Sequence, residues 1–440
     1  MERLMIISLG CPKNTVDSEI MSAVAENSGY MITTDPQETD IAVVNTCAFI
    51  ESAVDEAITV ILETAQLKET GKLKKLIVAG CLTERYREKI IEEIPEVDLC
   101  IGIDGIPLLG DLLRDNNEGM ITGPLESADF LNLSRKLSTG GGTAYLKISD
   151  GCDNTCTYCM IPSIRGRMRS RTIEDICSEA KQLCNENGIR EIILVAQDTT
   201  AYGADIYSEP SLTELLKELV KIDKLKWIRM LYCYPELITD ELIEIIANED
   251  KLVKYLDIPF QHASDRILRL MGRKSTLEEY TALINKLGNK IPDVIIRTTF
   301  ITGFPGETQD DFDILKSFIV SSRFGRVGVF TYFDEDGAAS YNLPDKVDFS
   351  ISSKRRDSIM EVQRDISLDN NEKRVNSIYD IIIGDVSDDG IFYEGRSYGE
   401  APEIDGIVYV ASFEPLKSGD MVRVKILEAR DYDLIGEAIL

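Results

Sequence analysis

A single histidine, His262, occurs among the 440 residues of the chain. Zinc fingers of the Cys/His type, His-rich metal sites and 2-His-1-carboxylate iron centres all need more histidines, so the sequence excludes them. Any Ser-His-Asp triad would have to use His262 itself. Ten cysteines are present, and thiolate chemistry is therefore what the sequence leaves open.

Basic residues are also scarce, since 48 Lys and Arg stand against 76 Asp and Glu, a net charge of −28. Such a surface repels phosphate backbones, so nucleic acid is not expected as a partner. No apolar run approaches the ~18 residues of a membrane span, and residues 4–9 are too short for a secretory signal. We therefore expect a cytoplasmic protein without membrane contact, in which clustered cysteines bind metal or act in catalysis rather than form disulfides.

The length predicts two to four domains. Residues 1–115 alternate short apolar runs with amphipathic stretches, which predicts an open parallel α/β domain. Three of its predicted strands stand just before a cysteine: residues 5–9 before Cys11, residues 41–45 before Cys47 and residues 76–79 before Cys81. Ligands bind beyond the carboxyl ends of parallel strands, so these three cysteines are expected to converge in space.

The rest of the chain divides into three parts. Residues 116–142 are rich in Asn, Gly and Ser and predict a linker. Residues 143–370 predict a partial (β/α)6 barrel, with strands at 145–148, 192–196, 227–232, 254–259, 294–300 and 326–332 and a last, polar helix at 350–371. Residues 371–440 are all-β in texture and predict a small five-stranded β-barrel. The predicted fold class is thus α/β with a carboxyl-terminal β-barrel.

The strongest chemical signal is a CxxxCxxC motif directly after the first barrel strand, formed by Cys152, Cys156 and Cys159. Three soft thiolates within eight residues suit an iron–sulfur cluster, and a three-cysteine loop leaves one iron open for another ligand. A zinc knuckle is the alternative. Closed zinc coordination requires a further ligand, and the sequence has neither a histidine nor a fourth cysteine near the motif.

This motif, with an aromatic residue before its last cysteine, resembles the radical S-adenosylmethionine superfamily over residues 145–332. The resemblance implies that Cys152, Cys156 and Cys159 hold a 4Fe–4S cluster whose fourth iron is chelated by the methionine amino and carboxylate groups of S-adenosylmethionine. It also implies one-electron cleavage of the sulfonium to a 5′-deoxyadenosyl radical. The protein's part in such chemistry is orientation, exclusion of water and tuning of the cluster.

Residues 9–14, 45–47 and 79–81, together with the final barrel, narrow the resemblance to the methylthiotransferases. In that family Cys11, Cys47 and Cys81 would hold a second 4Fe–4S cluster, and the last segment would be a TRAM domain. The alternative is that each of the three is an ordinary buried cysteine. Their equivalent placement after three strands favours a shared role.

Residues 232–236, 257–264 and 400–406 resemble the ribosomal-protein branch of the family more than its transfer-RNA branch. The resemblance implies methylthiolation of the β-carbon of an aspartate in the twelfth protein of the small ribosomal subunit. It also implies two equivalents of S-adenosylmethionine, an electron donor such as flavodoxin or ferredoxin, and a sulfur donor. Methylthiolation of an adenosine in transfer RNA and a non-catalytic iron–sulfur scaffold are the alternatives.

The charge of the last segment bears on the same choice. Residues 371–440 contain 15 acidic and 7 basic residues, whereas a module that grips RNA should be basic. An acidic barrel instead suits a basic ribosomal protein as partner.

Four residues are predicted to contact the cofactor because they lie at the barrel mouth: Tyr158, Gln197, Asp198 and Gly303. For Gly303 the superfamily resemblance adds that the end of this strand lies against the adenine. No catalytic side chain is assigned, since radical chemistry would occur at the clusters.

The remaining candidates are four cysteines, the histidine and a group of arginines, and several of them allow two interpretations. Cys177 and Cys184 share a helix face and, like Cys100, are expected in the core. Cys233 is either a thiol packed at the barrel rim or part of the site, and His262 is either a proton donor or a structural histidine. The arginines at 165, 167, 169 and 171 are expected on one side of an extended segment, either exposed or paired with a carboxylate of the cofactor or target.

Overall fold

The computed structural model of the protein describes residues 1–123, 125, 129–138 and 140–439. Residues 124, 126–128 and 139 of the predicted linker lie outside this part of the chain. Within the described residues, no helix combines the length and the apolar character that crossing a membrane requires.

The first domain is built on a parallel sheet in the strand order β2-β1-β3-β4-β5-β6. Its strands are β1 Arg3–Ser8, β2 Met31–Ile32, β3 Ile41–Thr46, β4 Lys75–Gly80, β5 Leu99–Ile101 and β6 Gly119–Ile121. Its helices are α1 Pro12–Asn27, α2 Glu51–Ala65, α3 Leu67–Thr70, α4 Cys81–Tyr86, α5 Lys89–Glu93 and α6 Leu109–Arg114. Every residue of β3 and β4 is buried, as expected for central strands covered on both faces.

Strand β6 falls inside the segment predicted as a linker. It pairs in parallel with β5, where Leu99 stands opposite Gly119. Three residues are too few to show a strand period in the sequence, so the Asn- and Gly-rich surroundings alone determined the prediction. The first sheet therefore continues to residue 121.

The second domain contains the six predicted parallel strands, in the order β14-β13-β12-β11-β10-β7. These strands are β7 Thr143–Lys147, β10 Glu191–Val195, β11 Trp227–Met230, β12 Leu252–Asp257, β13 Ile295–Thr302 and β14 Arg326–Thr331, and a short hairpin adds β8 Ser149–Asp150 and β9 Arg169–Ser170. The helices are α7 Ile161–Arg165, α8 Ile173–Glu186, α9 Leu212–Leu219, α10 Asp240–Asn248, α11 Asp265–Leu270, α12 Leu277–Lys290, α13 Gln309–Ser322 and α14 Phe349–Glu372. Neighbours in the sheet follow chain order, which is the arrangement of a partial barrel.

Local signals in the sequence explain several of these boundaries. The side chain of Thr172 accepts a hydrogen bond from the Asp175 amide and caps the start of α8, while Gly188 with φ of 71° follows its end. Helix α12 begins with a reciprocal capping box between Thr276 and Glu279.

The third domain is a closed five-stranded barrel in the order β15-β16-β17-β19-β18. Its strands are β15 Ile378–Val386, β16 Tyr393–Arg396, β17 Val408–Ala411, β18 Met421–Ala429 and β19 Leu434–Ala438. The predicted small barrel is confirmed, and its interior is filled by Ile, Val and Leu side chains.

One hydrophobic core joins the three domains. Val16 and Ile20 of α1 pack in the same cluster as Tyr145 and Tyr255 of the second sheet and Ala401 from the loop between β16 and β17. Helix α1 thus lies against the second domain, and the cysteine at its start is carried toward the mouth of the second sheet.

Candidate functional site

All six predicted cluster cysteines line one cavity of about 340 Å³ between the first and second domains. They are Cys11, Cys47 and Cys81 on one side and Cys152, Cys156 and Cys159 on the other. The cavity lies beyond the carboxyl ends of strands from both sheets, as the strand-end rule predicts. Two triplets distant in sequence therefore share one site.

Two glycines allow the first triplet to assemble. Gly10 has φ of +90°, and a Cβ there would lie 2.5 Å from Cys47 Cβ. Gly80, just before Cys81, also has φ of +90°, and a Cβ there would lie 2.4 Å from Asn45 Oδ1. Neither the backbone conformation nor the available space admits a side chain, so glycine is required directly before Cys11 and directly before Cys81.

The second triplet lies on a loop held by hydrogen bonds from the second domain. The backbone N–H of Cys152 donates to Gly166 O at 3.1 Å, and Asn154 Nδ2 donates to Asp198 Oδ2 at 2.7 Å. The hydroxyl of Tyr234 lies 3.6 Å from Cys156 Sγ. The loop is thus anchored at both ends while its thiols face the cavity.

A buried ion network supports the cavity where the two domains meet. The Arg165 guanidinium pairs with Asp17 of α1 at 3.1 Å and with Asp150 at 2.9 Å, and it donates to Asn14 Oδ1 at 2.7 Å. Lys147 Nζ bridges the same two carboxylates, at 2.6 and 3.1 Å. Good geometry on every member is what makes such buried charge tolerable.

The electrostatic surroundings of Cys11 differ from those of the other thiols in the cavity. Burial raises the pKa of Cys152 and of Cys81 to about 11, and that of Cys159 to about 12. Burial also acts on Cys11, but the nearby Lys13 and Arg165 outweigh it and lower the pKa of that thiol. Two cations therefore favour a thiolate at the start of α1.

The donor set fits an iron–sulfur cluster better than a single ion. No three His, Cys, Asp or Glu side chains gather around one point as ligands of a single metal ion in the described part of the chain. The thiols instead surround a void, which suits a polynuclear cluster with soft sulfur ligands.

The same cavity has features that suit a nucleoside-containing cofactor. Its volume lies within the range of ligand pockets. Two buried polar atoms of its lining residues, Gln197 Oε1 and Arg273 Nε, have no hydrogen-bond partner among the residues that the structure describes. Arg273 also stacks on the ring of Tyr234 at 3.8 Å. These groups remain available to a ligand.

The structure divides the four predicted cofactor contacts. Tyr158 and Gln197 belong to the described lining of the cavity, whereas Asp198 and Gly303 do not. Asp198 is buried and accepts hydrogen bonds from Asn154 and from Thr200 Oγ1, the latter at 2.7 Å. Gly303 is covered by helix α14, since a Cβ there would lie 2.3 Å from Ser352 Oγ.

The prediction that four arginines lie on one side of an extended segment is wrong. Arg165 ends a helix and Gly166 turns the chain, so the four arginines do not follow one extended segment. Only Arg167 is exposed. Arg169 pairs with Asp104 at 3.1 Å and Arg171 with Glu179 at 2.6 Å, so buried arginines here pair with carboxylates of the chain itself.

The other candidates occupy structural positions. His262 is fully buried; its Nδ1 accepts from the Ser264 amide at 2.9 Å, and its Nε2 lies 3.5 Å from Glu307 Oε2. Cys233 is buried in the core of the second domain. The remaining buried cysteines pack in the cores of the first and second domains: Cys100, Cys177 and Cys184.

Sequence reasoning missed several charged and aromatic residues of the cavity lining: Lys13, Tyr232, Tyr234, Asp257, Arg273 and Arg297. The sequence held no local signal for Lys13, because the burial of polar residues such as Asn14 and Asp17 at the start of α1 becomes visible only in the structure. A helix that hides its polar face must meet polar partners in another domain.

Family models match three segments of the chain. Residues 146–319 match the radical SAM superfamily, residues 3–102 match an uncharacterized protein family, UPF0004, and residues 375–439 match the TRAM domain. Each of these segments falls within one of the three domains described above.

Curated relatives match over the full length. A ribosomal protein uS12 methylthiotransferase RimO from Acetivibrio thermocellus is 49% identical, with all of this chain and 98% of the relative covered. The protein of the same name from Clostridioides difficile is 46% identical over all of this chain and 99% of the relative.

Among solved structures, the radical S-adenosylmethionine methyltransferase TsrM from Kitasatospora setae has a TM-score of 0.56 at 13% identity, with 75% of each chain covered. The cobalamin-dependent S-adenosylmethionine radical enzyme OxsB has a TM-score of 0.51 at 11% identity, over 83% of this chain and 56% of that one. At such low identity these structures support the fold alone.

Proposed function

The chain belongs to the family of the ribosomal protein uS12 methylthiotransferases, radical S-adenosylmethionine enzymes with a TRAM domain, and we propose that it attaches a methylthio group to the β-carbon of an aspartate in uS12. The observation that carries this proposal is the single cavity lined by both cysteine triplets. A reaction that joins a sulfur group to an unactivated carbon needs both the radical chemistry and the donation of the sulfur group to take place in one cavity.

We propose that Cys11, Cys47 and Cys81 hold one 4Fe–4S cluster and that Cys152, Cys156 and Cys159 hold another, with S-adenosylmethionine bound at the second. When bound, these groups supply one-electron radical chemistry and the methylthio group. The protein supplies position: Gly10 and Gly80 let the first triplet close, and Asn154 fixes the second loop through Asp198.

Contacts to the nucleoside cofactor are proposed from the side chains around the second triplet. Tyr158 packs edge-on against Phe304 with ring centroids 6.5 Å apart, which fixes its ring beside Cys159. Gln197 is oriented by its own amide, which donates to Asp150 Oδ1 at 2.6 Å and leaves Oε1 as a free acceptor. Arg273, with its unpaired Nε, is the cation that suits the methionine carboxylate.

The partners follow from charge and chemistry. The acidic third domain suits a basic ribosomal protein, and the radical step requires an electron donor such as flavodoxin or ferredoxin. Turnover also consumes sulfur, so a sulfur donor is part of the proposal.

Anaerobic reconstitution with iron, sulfide, S-adenosylmethionine and a low-potential reductant tests the function. We expect release of 5′-deoxyadenosine and a methylthio adduct on uS12, both read by mass spectrometry. An adduct on bulk transfer RNA with none on uS12 would instead favour the transfer-RNA activity. A scaffold protein would release no 5′-deoxyadenosine and form no adduct.

A further inference from the structure

Four cations line the cavity: Lys13, Arg165, Arg273 and Arg297. Among the residues that the structure describes, the three arginines each have a carboxylate oxygen within 4.0 Å. The nearest are at 2.9 Å for Arg165, 3.9 Å for Arg273 and 2.8 Å for Arg297. Lys13 has no such partner in this part of the chain.

The Lys13 ammonium is buried, since the residue is only 7% exposed. Its Nζ lies 3.5 Å from Ala196 O, at the limit of a hydrogen bond, and 3.6 Å from the centroid of the Tyr232 ring. An ammonium carries three donors, so this environment leaves hydrogen-bonding capacity unused. A buried ammonium without a carboxylate beside it is costly, and an anion that enters the cavity would relieve that cost.

The position of this ammonium matches the place where the substrate must react. Lys13 lies in the first turn of α1, two residues after Cys11, yet it reaches Ala196 directly after β10 and Tyr232 after β11. It therefore stands between the first cysteine triplet and the mouth of the second sheet. A substrate carbon that loses a hydrogen on one side and gains a sulfur group on the other must lie between the same two regions.

We propose that Lys13 binds the side-chain carboxylate of the substrate aspartate and so selects an acidic residue at the site of methylthiolation. This inference rests on the proposed function, because it takes the substrate to be an aspartate of uS12. The carboxylate is attached to the β-carbon, so an ion pair with Lys13 would hold that carbon in the cavity. The contact is a binding interaction and involves no covalent step.

A different role would explain the same burial. Lys13 is close to Cys11 and its charge favours the thiolate there, so it could serve only as a counter-ion for a cluster on the first triplet. The two roles differ in one measurable respect, because only a carboxylate receptor distinguishes aspartate from asparagine in the substrate.

The test is a double-mutant cycle on reconstituted holoenzyme with S-adenosylmethionine and without reductant. The enzymes are the wild type and Lys13→Met, and the ligands are uS12 and a uS12 variant with the target aspartate replaced by asparagine. A charge-assisted hydrogen bond predicts that the wild type binds the aspartate form about tenfold or more tightly, whereas Lys13→Met binds both forms with equal Kd. The same Kd ratio in both enzymes would overturn the proposal.

Three further measurements keep the result interpretable. Iron content and the visible spectrum report whether Lys13→Met retains its clusters, and Lys89→Met, which removes an exposed ammonium from the same domain, should leave the aspartate-to-asparagine ratio unchanged. Lys13→Arg keeps a positive charge beside Cys11 but replaces the ammonium with a wider planar group. If Lys13→Arg retains its full iron content, it should change the aspartate-to-asparagine Kd ratio several-fold. An unchanged ratio in this variant would count against the proposal even if Lys13→Met loses its clusters.

Failure of the proposed function would look different. If the wild-type enzyme, loaded and reduced, forms no adduct on uS12, the substrate assignment itself is wrong. If it forms the adduct and the Kd ratio does not depend on Lys13, only the role of Lys13 is wrong.

Discussion

The Arg165 guanidinium donates hydrogen bonds from both Nε and Nη2 to the Cys81 thiol sulfur, each at 3.3 Å. Arg165 belongs to the second domain and Cys81 to the first, so this contact crosses the domain boundary. The same guanidinium neutralises Asp17 and Asp150. One side chain thus links the cysteine of one triplet to the domain that carries the other.

Arg165→Met should destabilise the protein by about 3–5 kcal/mol, because it removes the closest guanidinium from two buried carboxylates and leaves them with Lys147 and, for Asp150, with Arg169 at 4.0 Å. Chemical denaturation of the metal-free protein measures the effect. Arg167→Met is the matched control: it removes the same group from an exposed position two residues away and should change stability by less than about 0.5 kcal/mol. Equal effects of the two substitutions would contradict the network's role.

A second prediction concerns the six cysteines that we propose as cluster ligands. Reconstituted protein should bind about eight irons per chain if each triplet holds a four-iron cluster. Replacing Cys152, Cys156 and Cys159 together with alanine should leave about half of that iron and abolish cleavage of S-adenosylmethionine. The control replaces three core cysteines, at 100, 177 and 184, which are buried away from the cavity. Unchanged iron in the first variant would refute the ligand assignment.

Sequence reasoning succeeded where the signal was local. Each cysteine of the first triplet follows a strand of the parallel sheet, and the strand pattern is visible within about six residues. The role of Arg165 was hidden because its partner Asp17 lies 148 positions away in sequence, and Lys13 reaches Ala196 across 183 positions. Such pairings are set by how the domains dock, which no local pattern records.

Gly303 shows where a local rule meets a distant part of the chain, and its contact with the cofactor stays a prediction. It does stand just past the end of β13, where the strand-end rule places ligand contacts. Helix α14 covers that position, however, and its Ser352 leaves no room even for a methyl group. The covering helix begins 46 positions later, beyond the range of the motif.

A third prediction separates the roles of the two triplets. Cys47→Ala should reduce formation of methylthiolated product more than cleavage of S-adenosylmethionine, because Cys47 belongs to the triplet that does not hold the cofactor in our proposal. Mass spectrometry of 5′-deoxyadenosine and of the product in one reaction measures both. Equal loss of the two, in a variant whose unfolding midpoint matches the wild type, would argue against separate roles.

A fourth prediction concerns the attachment of the third domain and its dependence on pH. Burial alone would raise the pKa of Glu400, but Arg374 and Arg326 outweigh it and lower the value from 4.5 to about 2. A lowered pKa in the folded state stabilises the protein above pH 4.5, and this contribution is lost as the pH falls from 4.5 toward 2. Its size is on the order of 3 kcal/mol.

Glu400→Gln should therefore lower the stability near pH 7, and the difference from the wild type should shrink below pH 4.5. Unfolding of the metal-free protein by denaturant across this pH range measures it. Glu437→Gln, at an exposed position of the same barrel, is the control and should show little difference at any pH. A constant difference for Glu400→Gln down to pH 2.5 would contradict the ion-pair explanation.

The last prediction addresses recognition of uS12 by the acidic third domain. Deleting residues 371–440 would be a poor test, because Arg229 of β11 donates to Tyr398 O at 2.8 Å and Arg326 of β14 pairs with Glu400 at 2.9 Å. The deletion would remove these contacts from two buried arginines, leaving Arg229 paired with Glu191 but Arg326 without Glu400, and so would damage the second domain. Reversing exposed charges leaves those contacts intact.

Asp388 and Glu414 are suitable positions for charge reversal, because both are exposed and the pairing of β16 with β17 brings their loops to the same end of the barrel. Asp388→Lys with Glu414→Lys should weaken uS12 binding several-fold at low ionic strength, and the loss should diminish as salt is added, since surface attraction is screened. Glu56→Lys with Glu63→Lys makes the same charge change on exposed positions of α2 and should weaken binding less. If both double variants have the same effect, net charge rather than this surface attracts the substrate. If the barrel variant instead acquires methylthiolation of transfer RNA while uS12 binding is unchanged, the barrel's acidity excludes nucleic acid and does not recognise the ribosomal protein.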